Sequence, residues 1–523
     1  MAVSTSRVPA EIWREIIHQV SDDDMGSVFA TSHAFSTVAR PLLFSKITIE
    51  AYGLDAQPDE AFLPGPEERR WVRARVDFYA SAQIAPLVLE CKLVTWQAVD
   101  KEDYVFTSNI FYMLDYVFAR MRAWTNLRTL TTVGDLPDVD RMPNLDELDI
   151  NLDGTGNVDD EDFHPKGSGP PLTTLTLSNE DMHPPEDELA PWLPFLDPRW
   201  IEFLKIECNF DCWGEHPDRI PVFDCVYDLW LTFFPDSGSR QSLDGVLAHF
   251  PAVQHLQLNV AHGDTARIES LVALGAQWDP LVATVDEIYI PHELLHIFVP
   301  HAPNLTILKI NTEATIEAAC IALFASTRSM KLRCLAFTKV AVATTSFSPS
   351  VNAFAFIDAL SHAFPELENL WVHFLHANQP TDVNTSDSET ELDFFKTLVG
   401  LEAGRKPTKL RTIMFRWPVP RPNEDAGSLS PQSAITNIDA NSFAPPATTL
   451  VASLDALADD VFAAYPALTL LRLTGSSFLL ASTRRRAAGD DCVQKTCRDG
   501  LDARQLVAAH EEAFDIWEDI LES

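Results

Sequence analysis

The sequence contains no run of about eighteen consecutive apolar residues, so no segment reads as a membrane-spanning helix. Basic residues are scarce: 39 Lys and Arg stand against 76 Asp and Glu, for a net charge of −37. Nucleic-acid binding requires basic patches that neutralise phosphates, and anionic bilayers attract polybasic segments. Both partners are therefore excluded as expectations, and the charge favours solubility and basic partners. No signal peptide is read at the N-terminus, because the first apolar helix carries Glu11, Arg14 and Glu15.

The eight cysteines are scattered, with Cys208, Cys212 and Cys225 as the one loose cluster. No C-x-x-C pair or zinc-spaced His pair accompanies them, so no metal site is expected. A reducing compartment, cytoplasm or nucleus, follows from that usage. Nucleophile-elbow, phosphate-loop and dinucleotide-glycine motifs are absent, and His510-Glu511-Glu512 lacks the second histidine of a zinc-protease motif. The acidic run Asp159-Asp160-Glu161-Asp162 reads as loop without a positioned partner. Neither catalysis nor a cofactor is expected.

What the chain does have is a repeat. The template L-x-x-L-x-L, other apolar residues allowed, recurs at Leu145, Leu172, Ile201, Val226, Val253, Val285, Leu305, Leu332, Leu367, Leu410 and Leu468. Weaker copies begin at Ile84 and Leu127. Central starts are about 27, 29, 25 and 27 residues apart. The x-L-x-L-x alternation is the period-2 signature of a short strand. Prolines announce several copies, at Pro143, Pro251, Pro303, Pro365 and Pro466, and proline is tolerated at a strand start. Helical patterns lie between strands at 242–250, 266–277, 315–326, 351–364, 392–401 and 453–465. Strand, helix, strand in steady alternation predicts an α/β fold with parallel strands. A closed β/α barrel is the rival, but its strands are apolar on both faces. These strands carry Asp149, Lys205, Gln257, Lys309 and Arg472 between apolar neighbours, which predicts one wet face and an open sheet.

The repeats resemble the leucine-rich repeats that follow F-boxes in substrate adaptors. The family's asparagine after the strand is met at Asn209 and replaced at Ala261, Glu313 and Val340. The resemblance implies an irregular solenoid over 84–478 with a parallel concave sheet and mobile loops near 379–391 and 418–449. A polar loop at 479–500, including Arg484-Arg485-Arg486, and a capping helix at 501–523 are expected to follow. That last helix is read from Val507, His510, Phe514, Trp517 and Leu521 at three- and four-residue steps. Residues between the core positions would form a concave substrate surface: Lys205, Trp230, Gln257, Tyr289, Lys309, Trp371, His373 and Arg416. Trp230, Tyr289 and Trp371 are read as exposed aromatics of the kind that dominate interfaces.

Ahead of the repeats, Val8-Pro9-Ala10-Glu11-Ile12 opens a helix with Ile12, Ile16 and Val20 at one-face spacing. Pro suits a first helical turn, where its missing N–H has no partner to lose. Thr31-Ser32-His33-Ala34-Phe35 and Arg40-Pro41-Leu42-Leu43-Phe44 follow. This block, over 1–50, resembles an F-box, a three-helix unit, and 51–83 reads as a linker with first helices. The resemblance implies binding to a Skp-type adaptor of a cullin complex through Pro9, Ile12, Ile16, Val20, Phe29, Ser32 and Phe35. The chain would then be the substrate-recognition subunit of a ubiquitin ligase, holding a protein substrate on the repeats. The alternative is a leucine-rich-repeat scaffold whose opening helices only cap the first layer.

Overall fold

The computed structural model describes residues 10–17, 20, 22–31, 33–50, 66–94, 116–133, 142–151, 171–178, 197–207, 221–233, 243–260, 278–312, 316–326, 331–342, 360, 363–376, 409–416, 447–475, 478–487, 490–499 and 516–518. Two compact units divide the chain: 1–253 with 260–274, and 254–259 with 275–523.

The first unit opens with three helices, α1 (Ala10–Ile17), α2 (Asp22–Thr31) and α3 (His33–Leu43). Ile17 and Ala39 are buried where they meet, and Val20, Val28, Phe29, Phe35, Val38, Leu42 and Leu43 pack around them. Trp13 closes the small core edge-on against Phe35, ring centroids 4.7 Å apart. The inward face of α1 is thus Trp13 and Ile17, one helical turn apart, and the Ile12–Ile16 stripe read from the periodicity is a separate face.

Phe44 carries the block into the rest of the unit. Its ring meets Phe29 and also Phe78 of α4 (Pro66–Tyr79). The strands β1 (Lys46–Glu50), β2 (Glu90–Val94), β3 (Thr129–Val133), β4 (Glu147–Asn151), β5 (Thr174–Ser178), β6 (Phe203–Glu207) and β7 (Asp228–Phe233) then pair in parallel, each with the next in sequence. The short α5 (Leu243–Leu247) is the last helix of this unit among the described residues.

The second unit repeats the plan. It takes all but the last residue of β8 (His255–Val260), then β9 (Glu287–Pro291), β10 (Ile307–Asn311), β11 (Cys334–Val342), β12 (Asn369–His376), β13 (Thr412–Arg416) and β14 (Leu470–Thr474). These are parallel and sequential. Between them lie short helical turns at 292–301, α6 (Ile316–Ser326) and α7 (Ala447–Ala464). The segments predicted as helix at 266–277 and 392–401 lie outside the described residues, as do Asn209 and both loops near 379–391 and 418–449.

Three apolar residues per repeat explain the strands. The first of each template sits in the turn before the strand, and the other two are strand residues on one face. Leu145, Leu148 and Ile150 are all fully buried, and so are Leu305, Leu308 and Ile310. Each such side chain contributes about 1.5–3 kcal/mol when removed from water. The prolines do not begin strands. Pro143, Pro251, Pro303, Pro365 and Pro466 each stand four residues before the strand, in an exposed turn. The residue before each proline is buried, and in most copies its carbonyl accepts the N–H of the first template residue, as Phe364 does from Leu367 at 3.1 Å.

A second regularity stacks the repeats. Within each unit, at each step, one carbonyl accepts two successive N–H groups of the next repeat. Ser45 accepts from Leu89 and Glu90, Leu89 from Arg128 and Thr129, and Arg128 from Asp146 and Glu147. In the second unit the series runs through Gln254, Asp286, Thr306, Arg333, Glu368 and Arg411. Asparagines reinforce it from the turn: the Nδ2 of Asn126, Asn144 and Asn304 donates to Pro86, Thr125 and Ala283 carbonyls at 2.8, 2.6 and 2.8 Å.

Among the described residues β1 pairs only with β2, and β16 only with β15, so the sheet is not closed and the barrel reading falls. The stretch expected as a polar loop at 479–500 is instead an antiparallel hairpin, β15 (Phe478–Ala487) and β16 (Asp490–Asp499), added to β14. Its pattern was hidden by charge. Phe478, Leu480 and Ser482 face inward and are fully buried, while Arg484 reaches the Phe462 and Pro466 carbonyls and its guanidinium lies over the Phe462 ring. Arg484 is therefore a packed residue and not part of a solvated basic run. The hairpin extends the sheet beyond β14; of the helix expected at 501–523, only 516–518, a helical turn, is among the described residues.

Candidate protein-binding faces

Two surfaces emerge, one in each unit. The first is the outward side of α1. With Trp13 and Ile17 turned in, Ile12 and Ile16 are left side by side, each 49% exposed. Val20, Phe29 and Phe35, grouped with them from sequence, are partly buried in the three-helix core. Pro9 and Ser32 lie outside the described residues.

The strand positions between the core residues form the second type of surface. In the first unit parallel register aligns Thr48, Lys92, Thr131, Asp149, Thr176, Lys205 and Trp230 in one row. Lys205 lays its Nζ over the Trp230 indole, 5.6 Å from the centroid, and Phe203 meets the same ring edge-on at 5.5 Å. Trp230 is half-buried by these neighbours, which fixes its orientation.

In the second unit the corresponding row is Gln257, Tyr289, Lys309, Ala336, Trp371, Met414 and Arg472. One step along the strands, on the same face, His373, Arg416 and Thr474 are in register. The sequence-predicted residues of this unit thus do share one face. Gln257 and His373 are half-buried on it. Tyr289 is within 3.3 Å of the Thr338 hydroxyl, and burial pushes its phenol above the usual range against the opposing pull of Thr338 and Lys309. Lys309 pairs with Glu287 at 2.9 Å. Arg416 is half-buried, its Nε has no hydrogen-bond partner, and desolvation lowers its guanidinium to about 10.

Trp371 departs from expectation. It is 6% exposed, not an open aromatic. The helical turn at 516–518 lies on this face and covers it: Trp517 packs against Trp371 with ring centroids 5.2 Å apart. Ala336 and Met414 complete a buried cluster with the two indoles, and Leu470 packs at its side. Glu518 brings its carboxylate to 3.8 Å from Lys309. Sequence reasoning passed over Ala336, a small neighbour of a tryptophan, whereas Met414 is among the positions that it read on the strand face. The register of the repeats was the signal that could have joined them to Trp371. Trp517 was read as part of a helix that caps the repeats or binds a partner.

Among the described residues no group of three or more His, Cys, Asp or Glu could hold a metal ion, and no helix is long and apolar enough to cross a membrane. No family model and no curated protein matches the sequence.

Proposed function

We propose that the chain is a substrate-recognition subunit of a Skp–cullin–F-box type ubiquitin ligase. In this reading α1–α3 form the F-box and dock the Skp-type adaptor, while the strand faces of the leucine-rich repeats hold a protein substrate. The chemistry belongs to the partners, and this chain contributes proximity and orientation.

The supporting observation is the division of labour on α1. A helix that served only to cap the repeats would turn its large apolar residues inward. Here the inner face is already satisfied by Trp13 and Ile17, yet Ile12 and Ile16 stand in solvent. An apolar pair kept outside a fully formed core fits a partner's groove in the helix-in-groove mode. The expected compartment, cytoplasm or nucleus, is where such ligases work.

The test is co-purification of the full chain with a Skp-type adaptor and its cullin. Ile12→Asp with Ile16→Asp should abolish capture with little loss of stability, because neither side chain is in the core. A well-folded wild-type chain that never captures the adaptor would overturn this function and leave the repeat scaffold.

A further inference from the structure

We propose that the cluster around Trp371 is a recognition slot for a partner segment carrying an aromatic residue followed by an acidic one, and that Trp517-Glu518 occupies it as an internal competitor. This deepens the reading of the repeat face as a protein-binding surface and rests on it.

The slot is made by strand residues that parallel register places next to one another. Ala336 leaves the room, Trp371 and Met414 form the walls, and Leu470 packs at the margin. A flat aromatic fits between an indole and a methionine, whose unbranched thioether adapts to the ring. The neighbouring position along the row is Lys309, the cation nearest the acidic residue that follows the aromatic. Arg416, one step further along the strand beside Met414, adds a second positive group. In a chain of net charge −37, cations grouped on one strand face select an anionic segment.

What sits there now has the marks of a replaceable occupant. Trp517 is fully buried, yet its Nε1 has no hydrogen-bond partner. Burying an unsatisfied donor carries an uncompensated desolvation penalty. The Glu518 contact is long at 3.8 Å and its carboxylate is 43% exposed, whereas Lys309 meets Glu287 at 2.9 Å. A segment with the same chemistry and a satisfied or absent ring donor gains over the internal one.

The experiment uses the full-length chain and a fluorescent synthetic peptide of residues 510–523, read by anisotropy. The wild-type chain should bind it weakly. The full chain carrying Trp517→Ala and Glu518→Ala should bind it at least tenfold more tightly, because the slot is vacated. A peptide carrying Trp517→Ala should not bind. Lys309→Glu in the vacated chain should weaken binding at least fivefold, and a peptide carrying Glu518→Lys should restore it. That reversal cannot come from misfolding. Equal binding by the wild-type and vacated chains, or no reversal on the charge swap, overturns the proposal. Adaptor capture through α1 is measured separately on the same proteins, so loss of the ligase reading and loss of the slot are told apart.

Discussion

Asn369 donates a hydrogen bond from Nδ2 to the Cys334 sulfur at 3.2 Å, between the paired strands β11 and β12. Both residues are buried, and burial raises the Cys334 thiol against the opposing influence of Asn369 and Arg333. Cys91, in the first unit, is wholly desolvated and pushed up to about 12. Only the thiolate attacks electrophiles. Among the described cysteines, Cys225 is exposed and should react first with a maleimide at pH 8, while Cys91 and Cys334 stay unlabelled until the chain unfolds. Peptide mass mapping over a time course checks the order.

Cys91 also sets an alkaline limit. Its folded pKa lies above the ordinary 9.0, so the unfolded thiol releases its proton first as pH rises. The stabilisation is complete below pH 9 and is lost progressively towards about 12. Cys91→Ala should flatten that part of the decline in denaturant midpoint between pH 9 and 11. An identical slope in both proteins would contradict it.

Gly475 precedes the hairpin, and its N–H donates to the Phe478 carbonyl at 2.9 Å. A Cβ there would overlap the Phe478 ring, which is fully buried and has no room to retreat. Gly475→Ala should therefore cost about 1–3 kcal/mol, the usual penalty for overpacking. Urea unfolding monitored by circular dichroism gives the number.

Asn304→Ala removes the Nδ2 donation to the Ala283 carbonyl but no apolar contact. The expected loss is about 0.5–1.5 kcal/mol. Asn304→Asp should fare no better, since a carboxylate cannot donate to a carbonyl. Thermal unfolding of the two variants tests the pair.

Lys495 of β16 reaches Asp459 and Asp455 of α7, at 2.7 and 3.0 Å. Burial lowers the ammonium's pKa, but the two carboxylate hydrogen bonds outweigh it and the net shift is upward. The contribution is therefore intact below the ordinary lysine pKa and lost above it. Both carboxylates are more than half exposed, so Lys495→Met should cost no more than about 1 kcal/mol. The difference from wild type should shrink in 1 M salt.

The strands were legible because burial and period coincide. Leu148 and Ile150 alternate with Asp149, and Leu308 and Ile310 with Lys309, so one face declares itself. The hairpin was not legible, because β15 mixes Phe478, Leu479 and Leu480 with three arginines and reads by composition as loop. The core-facing stripe of α1 was not legible for a related reason. Ile12 and Ile16 are as apolar as Trp13 and Ile17, and periodicity cannot say which of two apolar stripes meets the core. Sequence put Trp371 on the wet face correctly by register but left it open. Its cover comes from Trp517, nearly 150 residues away in the chain, and no local pattern announces such a contact.

The paired N–H donation from each repeat to a carbonyl of the one before has a consequence for how such a chain can change. In this ladder each described step hands its hydrogen bonds to the repeat beside it, so a whole unit can be added, lost or padded without resetting the ladder of the others. A closed ring has a fixed strand count tied to its tilt and stagger. This chain has no such constraint, which accounts for template starts at 332, 367, 410 and 468 drifting apart while the pairing of β11 to β14 stays in register.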